Sequence, residues 1–170
     1  YAAWTLEALR YLGIRCPHVV AHSFGGRVAV KCLSQGDVFD RAVLAGCAGI
    51  LPRRTFSYHV RVKTYRAVRK IAPRFAEKRF GSSEYRTLSP VMRESYKKIV
   101  NEDLREDAAK ISRPVLFVNG TKDTAVPPAS VRVYLSCVKG SGVFWLEGCG
   151  HFAFLDNPLA FNAATEEFFQ

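Results

Sequence analysis

The sequence contains no apolar run approaching the roughly 20 residues that a bilayer-spanning helix requires. It also shows no basic stretch leading through an apolar segment to a small-residue cleavage site, the pattern of an export signal. A helical anchor within these residues is thereby excluded, and the expected compartment is the cytoplasm. Cysteines are few and scattered: Cys16, Cys32, Cys47, Cys137 and Cys149 form no CxxC pair, and five thiols cannot all be bridged. That argues against a zinc knuckle, a dithiol redox motif or a disulfide framework, and the thiols are expected to be reduced and mostly buried. No cofactor or metal is expected, and no repeat or low-complexity tract is present. The single methionine does not open the chain.

What is present has the balance of a globular domain. With 170 residues, 48% hydrophobic and 24% charged, the chain can bury roughly 70% of its unfolded surface. The formal net charge of +10 is unevenly placed. Between Pro52 and Arg113 there are 17 Lys and Arg against 7 Asp and Glu, whereas the remainder carries 8 of each. A uniformly basic nucleic-acid binder is thus disfavoured, and a neutral scaffold with a basic insert is expected.

The scaffold alternates between two periodicities. Ala2, Leu6, Leu9 and Leu12 are spaced as one face of a helix over 1–12, stopped by Gly13. His18 to Ala21 is short, apolar and β-branched, which predicts a buried strand, and Phe24 to Leu33 returns to helical spacing. Further strands are predicted at Arg41–Gly46, Pro114–Asn119 and Gly142–Leu146. Helices are predicted at Pro127–Val138 and from Asn157-Pro158 onward, where a cap residue precedes proline and Phe161, Ala164 and Phe168 face inward. Continuous rather than alternating hydrophobicity in the strands implies a mostly parallel sheet covered by helices on both faces. The segment 52–113 breaks the rhythm: Tyr58, Val62, Tyr65, Val68 and Ala72 recur at helical spacing among Arg61, Arg66, Arg69 and Lys70, and helical pieces are expected at 85–101 and 102–110. The expected organisation is a core of 1–51 and 114–170 with a basic helical insert, 52–113.

Three loops carry the chemistry. Val19-Val20-Ala21-His22-Ser23-Phe24-Gly25-Gly26 puts a serine at a strand-to-helix junction, with small residues two before and two after it. Such a turn lifts the hydroxyl above the sheet and aims the next N–H, here that of Phe24, at an oxygen reacting there. A serine hydroxyl is a weak nucleophile, so it needs a base to take its proton and a third group to orient that base. The third predicted strand runs into Asn119-Gly120-Thr121-Lys122-Asp123, which offers a carboxylate. The fourth runs into Glu147-Gly148-Cys149-Gly150-His151-Phe152, which offers an imidazole. Both loops fall at the carboxyl edge of the sheet, where ligands gather in open α/β folds. His22 should point away from Ser23, His18 precedes its strand and His59 belongs to the insert. Asp37 and Asp40 lie at the wrong end of the sheet, and Glu147 is the best alternative acid.

On these motifs the chain resembles the carboxyl-terminal part of an α/β-hydrolase-fold serine hydrolase. AHSFGG is similar to the nucleophile elbow, VNGTKDTAVP to the acid loop and GCGHFAFLDNP to the histidine loop with the start of the last helix. The resemblance implies Ser23 as nucleophile, His151 as general base and then acid, Asp123 as the orienting carboxylate, and 52–113 as a cap. Ala21 stands where the family usually has glycine, a mild departure. Some relatives carry the acid one strand earlier, where Ala45-Gly46-Cys47-Ala48-Gly49 offers none.

In the family, strands and a helix precede the segment with which this sequence opens and supply a second oxyanion N–H. The chain is therefore expected to be part of a longer enzyme, with an exposed apolar edge at Val19 and Val20, inactive and prone to aggregate alone. The resemblance implies hydrolysis, through an acyl-enzyme, of an ester, thioester, lactone, amide or activated carbon–carbon bond in a small molecule, and the basic insert adds anionic molecules to the candidate substrates. Neither nucleic acid nor stable membrane insertion is expected. The alternative is a non-catalytic hydrolase-fold protein whose basic segment, with ten Lys and Arg and one acid between Arg53 and Arg79, meets an acidic partner or a membrane surface.

Overall fold

The computed structural model describes residues 1–51, 64 and 89–170. Apart from residue 64, the helical reading of 58–72 falls outside them, as does the position of His59. The chain divides into two compact units, one of Tyr1–Ile50 with Asp103–Gln170 and the other of Leu51–Glu102.

The first unit is built on four parallel strands in the order β1 (Val19–His22), β2 (Ala42–Ala45), β3 (Val115–Gly120) and β4 (Gly142–Leu146). Register is set so that Val20 lies beside Val43, Val43 beside Leu116, and Phe117 beside Val143. Every residue of β2 is buried, because successive side chains enter different layers. Ala42 and Leu44 join Val115 and Phe117 on one face, packed against Ala29, Val30 and Leu33 of α2 (Phe24–Leu33) and Val131 and Tyr134 of α5 (Pro128–Cys137). Val43 and Ala45 join Val118 and Leu146 on the other, under Ala153 of α6 (Ala153–Asp156) and Phe161 of α7 (Pro158–Phe169). Each fully buried Leu, Val or Phe contributes about 1.5–3 kcal/mol, so the two central strands dominate the stability of the sheet.

Local chemistry fixes the helix starts. Asn157 Oδ1 accepts from the Ala160 N–H at 3.2 Å and Pro158 follows at the first helical position of α7. α1 (Ala2–Tyr11) lays Ala2, Leu6 and Leu9 on the first core, whereas Leu12 lies beyond its end and is exposed. The apolar edge expected at β1 is half present: Val19 packs on the first core, but Val20 is 50% exposed while its neighbour Val43 is fully buried. Among the described residues, β1 pairs with β2 alone.

One boundary differs from the sequence reading. Residues 103–113, assigned there to the insert, belong to the core unit, because Leu104, Ala108 and Ile111 are buried in its first core and the Leu104 N–H donates to the Gly49 carbonyl at 3.0 Å. The helix expected over 102–110 is a single turn, α4 (Arg105–Ala108), preceded by Asp103, whose Oδ1 accepts from the Arg105 N–H at 3.0 Å. In the second unit, α3 (Pro90–Asn101) is capped by Ser89, whose hydroxyl accepts from the Met92 N–H at 3.4 Å. No helix among the described residues is long and apolar enough to cross a membrane.

Candidate active site

Ser23 ends β1 and opens α2 with φ 51° and ψ −109°, a backbone conformation that non-glycine residues rarely adopt. The surrounding structure holds it there. Its N–H donates to the Ala45 carbonyl at 3.0 Å, and its carbonyl accepts from the N–H groups of Gly26 and Ala48 at 3.1 and 3.3 Å. The turn sets the hydroxyl at the amino end of α2, where the first N–H groups have no intrahelical acceptor and the helix dipole favours negative charge. The Phe24 N–H is the first of these, and the Phe24 ring meets Tyr1 edge-on with centroids 5.0 Å apart.

The tight point of the turn lies one residue beyond where the sequence pattern puts it. A Cβ on Gly25 would make an ordinary 3.8 Å contact with the Ala21 side chain. On Gly26 it would stand 2.7 Å from Cys47 Sγ and 3.2 Å from Cys47 Cα. Cys47 is therefore pressed against the elbow from behind. Burial pushes its thiol up to about 12, despite the nearby Tyr134 hydroxyl and Arg27 charge that act the other way. Burial raises Tyr134 as well, and its hydroxyl donates to the Ala48 carbonyl at 2.8 Å.

Asp123 follows β3 and its side chain is wholly buried. Oδ1 accepts from the N–H groups of Ala125 and Val126, both at 2.8 Å, and Oδ2 lies 2.8 Å from His151 Nδ1. Three donors around one carboxylate offset the cost of removing it from water. Glu147, the alternative acid, is exposed at the end of β4. Asp37 and Asp40 pair with Arg113 instead, at 3.2 and 3.5 Å, and Asp40 also lies 3.6 Å from His18.

His151 is held by a loop bonded to its neighbours. The Lys122 N–H donates to the Cys149 carbonyl at 2.9 Å, the Gly148 N–H to Thr121 Oγ1 at 2.9 Å, and the Gly150 N–H to Asp156 Oδ2 at 2.7 Å. Gly120 allows this approach, since a Cβ there would collide with the carbonyl oxygens of Cys149 and Gly150. Nε2 of His151 lies 3.0 Å from Ser23 Oγ. With Asp123 accepting from Nδ1–H, Nε2 carries the lone pair and can accept the serine proton. Ser23, His151 and Asp123 thus form one continuous hydrogen-bonded chain across loops that follow three different strands.

Sequence reasoning missed the part played by His22. Its Nε2 donates to the His151 carbonyl at 3.0 Å and its ring lies 4.7 Å from that of His151. Strand alternation could have placed His22 on the face of Ala45, but nothing in the sequence announces its acceptor. Among the described residues, no cluster of three or more His, Cys, Asp or Glu could hold a metal ion.

Comparison with known proteins agrees with this architecture. The model of the alpha/beta hydrolase family matches residues 1–164, and the chain belongs to that family. Solved structures similar to it include a hydrolase from Pseudomonas aeruginosa PA01, with 22% identity and a TM-score of 0.71 over 99% of this chain and 70% of that one. An esterase from Exiguobacterium antarcticum is similar at 23% identity and a TM-score of 0.71, over 98% and 71%. A meta-cleavage product hydrolase from Pseudomonas fluorescens IP01 is similar at 22% identity and a TM-score of 0.64, over 95% and 67%. The chain therefore spans about two thirds of the length of such proteins. No curated protein sequence matches it significantly.

Proposed function

We propose that this chain carries the catalytic core of a serine hydrolase that works through an acyl-enzyme. The observation supporting this most directly is the run of contacts from Ser23 Oγ to His151 Nε2 at 3.0 Å and from His151 Nδ1 to Asp123 at 2.8 Å. Ser23 Oγ attacks the carbonyl carbon of the substrate while His151 Nε2 takes its proton. Asp123 holds the tautomer and stabilises the imidazolium that forms. The Phe24 N–H and the amino end of α2 stabilise the charge developing on the carbonyl oxygen. His151 then protonates the leaving group, and water, activated by the same imidazole, releases the acid from Ser23. No cofactor enters this scheme. The substrate class is an ester, thioester, lactone, amide or activated carbon–carbon bond; a serine rather than a carboxylate nucleophile disfavours carbon–halogen or epoxide opening.

The test is labelling by a fluorophosphonate. A folded protein should be modified at Ser23, and Ser23→Ala should abolish the modification; a folded, unlabelled protein overturns the reading. One oxyanion donor typically accounts for about a hundred- to thousand-fold in rate. If the second comes from polypeptide beyond these residues, the 170 residues alone should hydrolyse esters poorly. The basic segment between Arg53 and Arg79 supports attraction of anionic substrates, so kcat/KM for a carboxylate-bearing ester should fall more steeply with salt than for a neutral one. The five cysteines are unbridged, which suits a reducing compartment such as the cytoplasm. The rival reading, a basic docking protein without catalysis, would require Ser23→Ala to leave salt-sensitive binding to anionic vesicles and biological function intact.

A further inference from the structure

We infer that His22 is a positioning residue for His151, gripping the backbone of the base while its chain neighbour Ser23 meets the base's side chain. The inference rests on the hydrolase reading for its consequence, but on geometry for its substance. A carbonyl oxygen can only accept, so the 3.0 Å contact between His22 Nε2 and the His151 carbonyl requires a proton on His22 Nε2. The ring is fixed before it reaches that carbonyl. His22 is in register with Ala45 at the end of β2, and its imidazole packs against Phe152, at 5.1 Å, and Phe154, at 5.0 Å and edge-on.

The loop needs such a grip. His151 follows Gly150, and Gly148 has φ 74°, so the backbone leading to it has more conformational freedom than most. On the amino side, Asp156 Oδ2 holds the Gly150 N–H; on the carboxyl side, His22 holds the carbonyl of His151 itself. With both sides of the residue fixed, the ring can keep Asp123 and Ser23 in reach together. Because His22 and Ser23 are consecutive, any shift of the end of β1 carries the grip and the nucleophile in the same direction.

The experiment compares the parent with His22→Phe, which keeps an aromatic ring without the donor, and with His22→Gln, whose amide can donate to the same carbonyl. Three readouts are taken: the thermal midpoint, the downfield Nδ1–H proton resonance of His151 with its solvent exchange rate, and the fluorophosphonate labelling rate of Ser23. At matched fold integrity, His22→Phe should broaden or shift the resonance, speed its exchange at least tenfold and slow labelling by up to about a hundred-fold. His22→Gln should recover most of each. A His22→Phe variant that is folded and keeps the parent's resonance and exchange rate overturns the grip, whatever its labelling rate. If that resonance changes as expected but the folded parent is not labelled at all, the positioning stands and the hydrolase reading falls.

Discussion

Gly46 and His151 share one small volume at the end of β2. With φ at +50°, Gly46 brings its backbone so near the imidazole that an added Cβ would lie 3.1 Å from Nδ1, 3.2 Å from Cε1 and 3.3 Å from the His151 carbonyl oxygen. Gly46→Ala should therefore cost about 1 kcal/mol of stability through its backbone conformation. It should also push the ring from Asp123 and slow Ser23 labelling by up to about a hundred-fold. Denaturant melts and labelling rates measured on one preparation check both effects.

The two glycines after Phe24 should behave differently. Gly25→Ala meets only ordinary contacts, and alanine's higher helix propensity is worth up to about 1 kcal/mol, so stability should be unchanged or raised. Gly26→Ala drives a methyl into Cys47 and should destabilise by about 1–3 kcal/mol. Equal melting temperatures for the two variants would contradict the crowding at the elbow.

Asp123→Asn keeps an acceptor for the N–H groups of Ala125 and Val126 but can present an amide N–H toward His151. The imidazole then favours the opposite tautomer, with no lone pair facing Ser23. If the triad reading holds, kcat should fall by about 10⁴-fold while the melting temperature changes little. Steady-state kinetics beside a thermal melt separates this outcome from misfolding.

The raised Cys47 thiol makes stability depend on alkaline pH. Its ordinary value is 9.0 and its folded value about 12, so between them the unfolded chain has released a proton that the folded chain keeps. The associated stability is fully present below pH 9 and declines as pH rises toward 12, by roughly 1 kcal/mol at pH 10 and roughly 3 kcal/mol at pH 11. Tyr134, raised for the same reason, steepens the loss above pH 10. Urea denaturation at successive pH values should show the decline, and Cys47→Ala should flatten the part between pH 9 and 10.

Much of this arrangement was legible in the sequence because strand and loop signals are local. Val19-Val20-Ala21 and Val115-Leu116-Phe117 announce strands by composition, and each of the three polar loops after a strand carries one reactive side chain. The parallel order follows from alternation with helices, and with it the convergence of Ser23, Asp123 and His151 on one edge. What escaped depends on approaches between segments distant in sequence. Leu104 and Ala108 look like part of a basic helical insert until Gly49 and the first core are seen to receive them. Gly26, Gly46 and Gly120 read as generic turn formers until Cys47, His151 and the Cys149 carbonyl are placed against them. His22 lacked a visible partner because that partner is a backbone oxygen 129 residues away.

The strand that delivers the nucleophile is, among the described residues, one of the two edge strands of the sheet and the shorter of them, with four residues against five in β4. Asp123 and His151 are tied together through β3, β4 and the cross-bonded loops beyond them, whereas Ser23 reaches them from β1, which among the described residues is bonded to β2 alone. Partial opening of the sheet should begin at β1, where backbone amides will exchange with solvent sooner than those of β2 and β3. Such an opening withdraws the serine, and the His22 donor with it, from an acid and a base whose own strands stay paired, so loss of nucleophile reactivity will precede loss of the fold as temperature or denaturant rises.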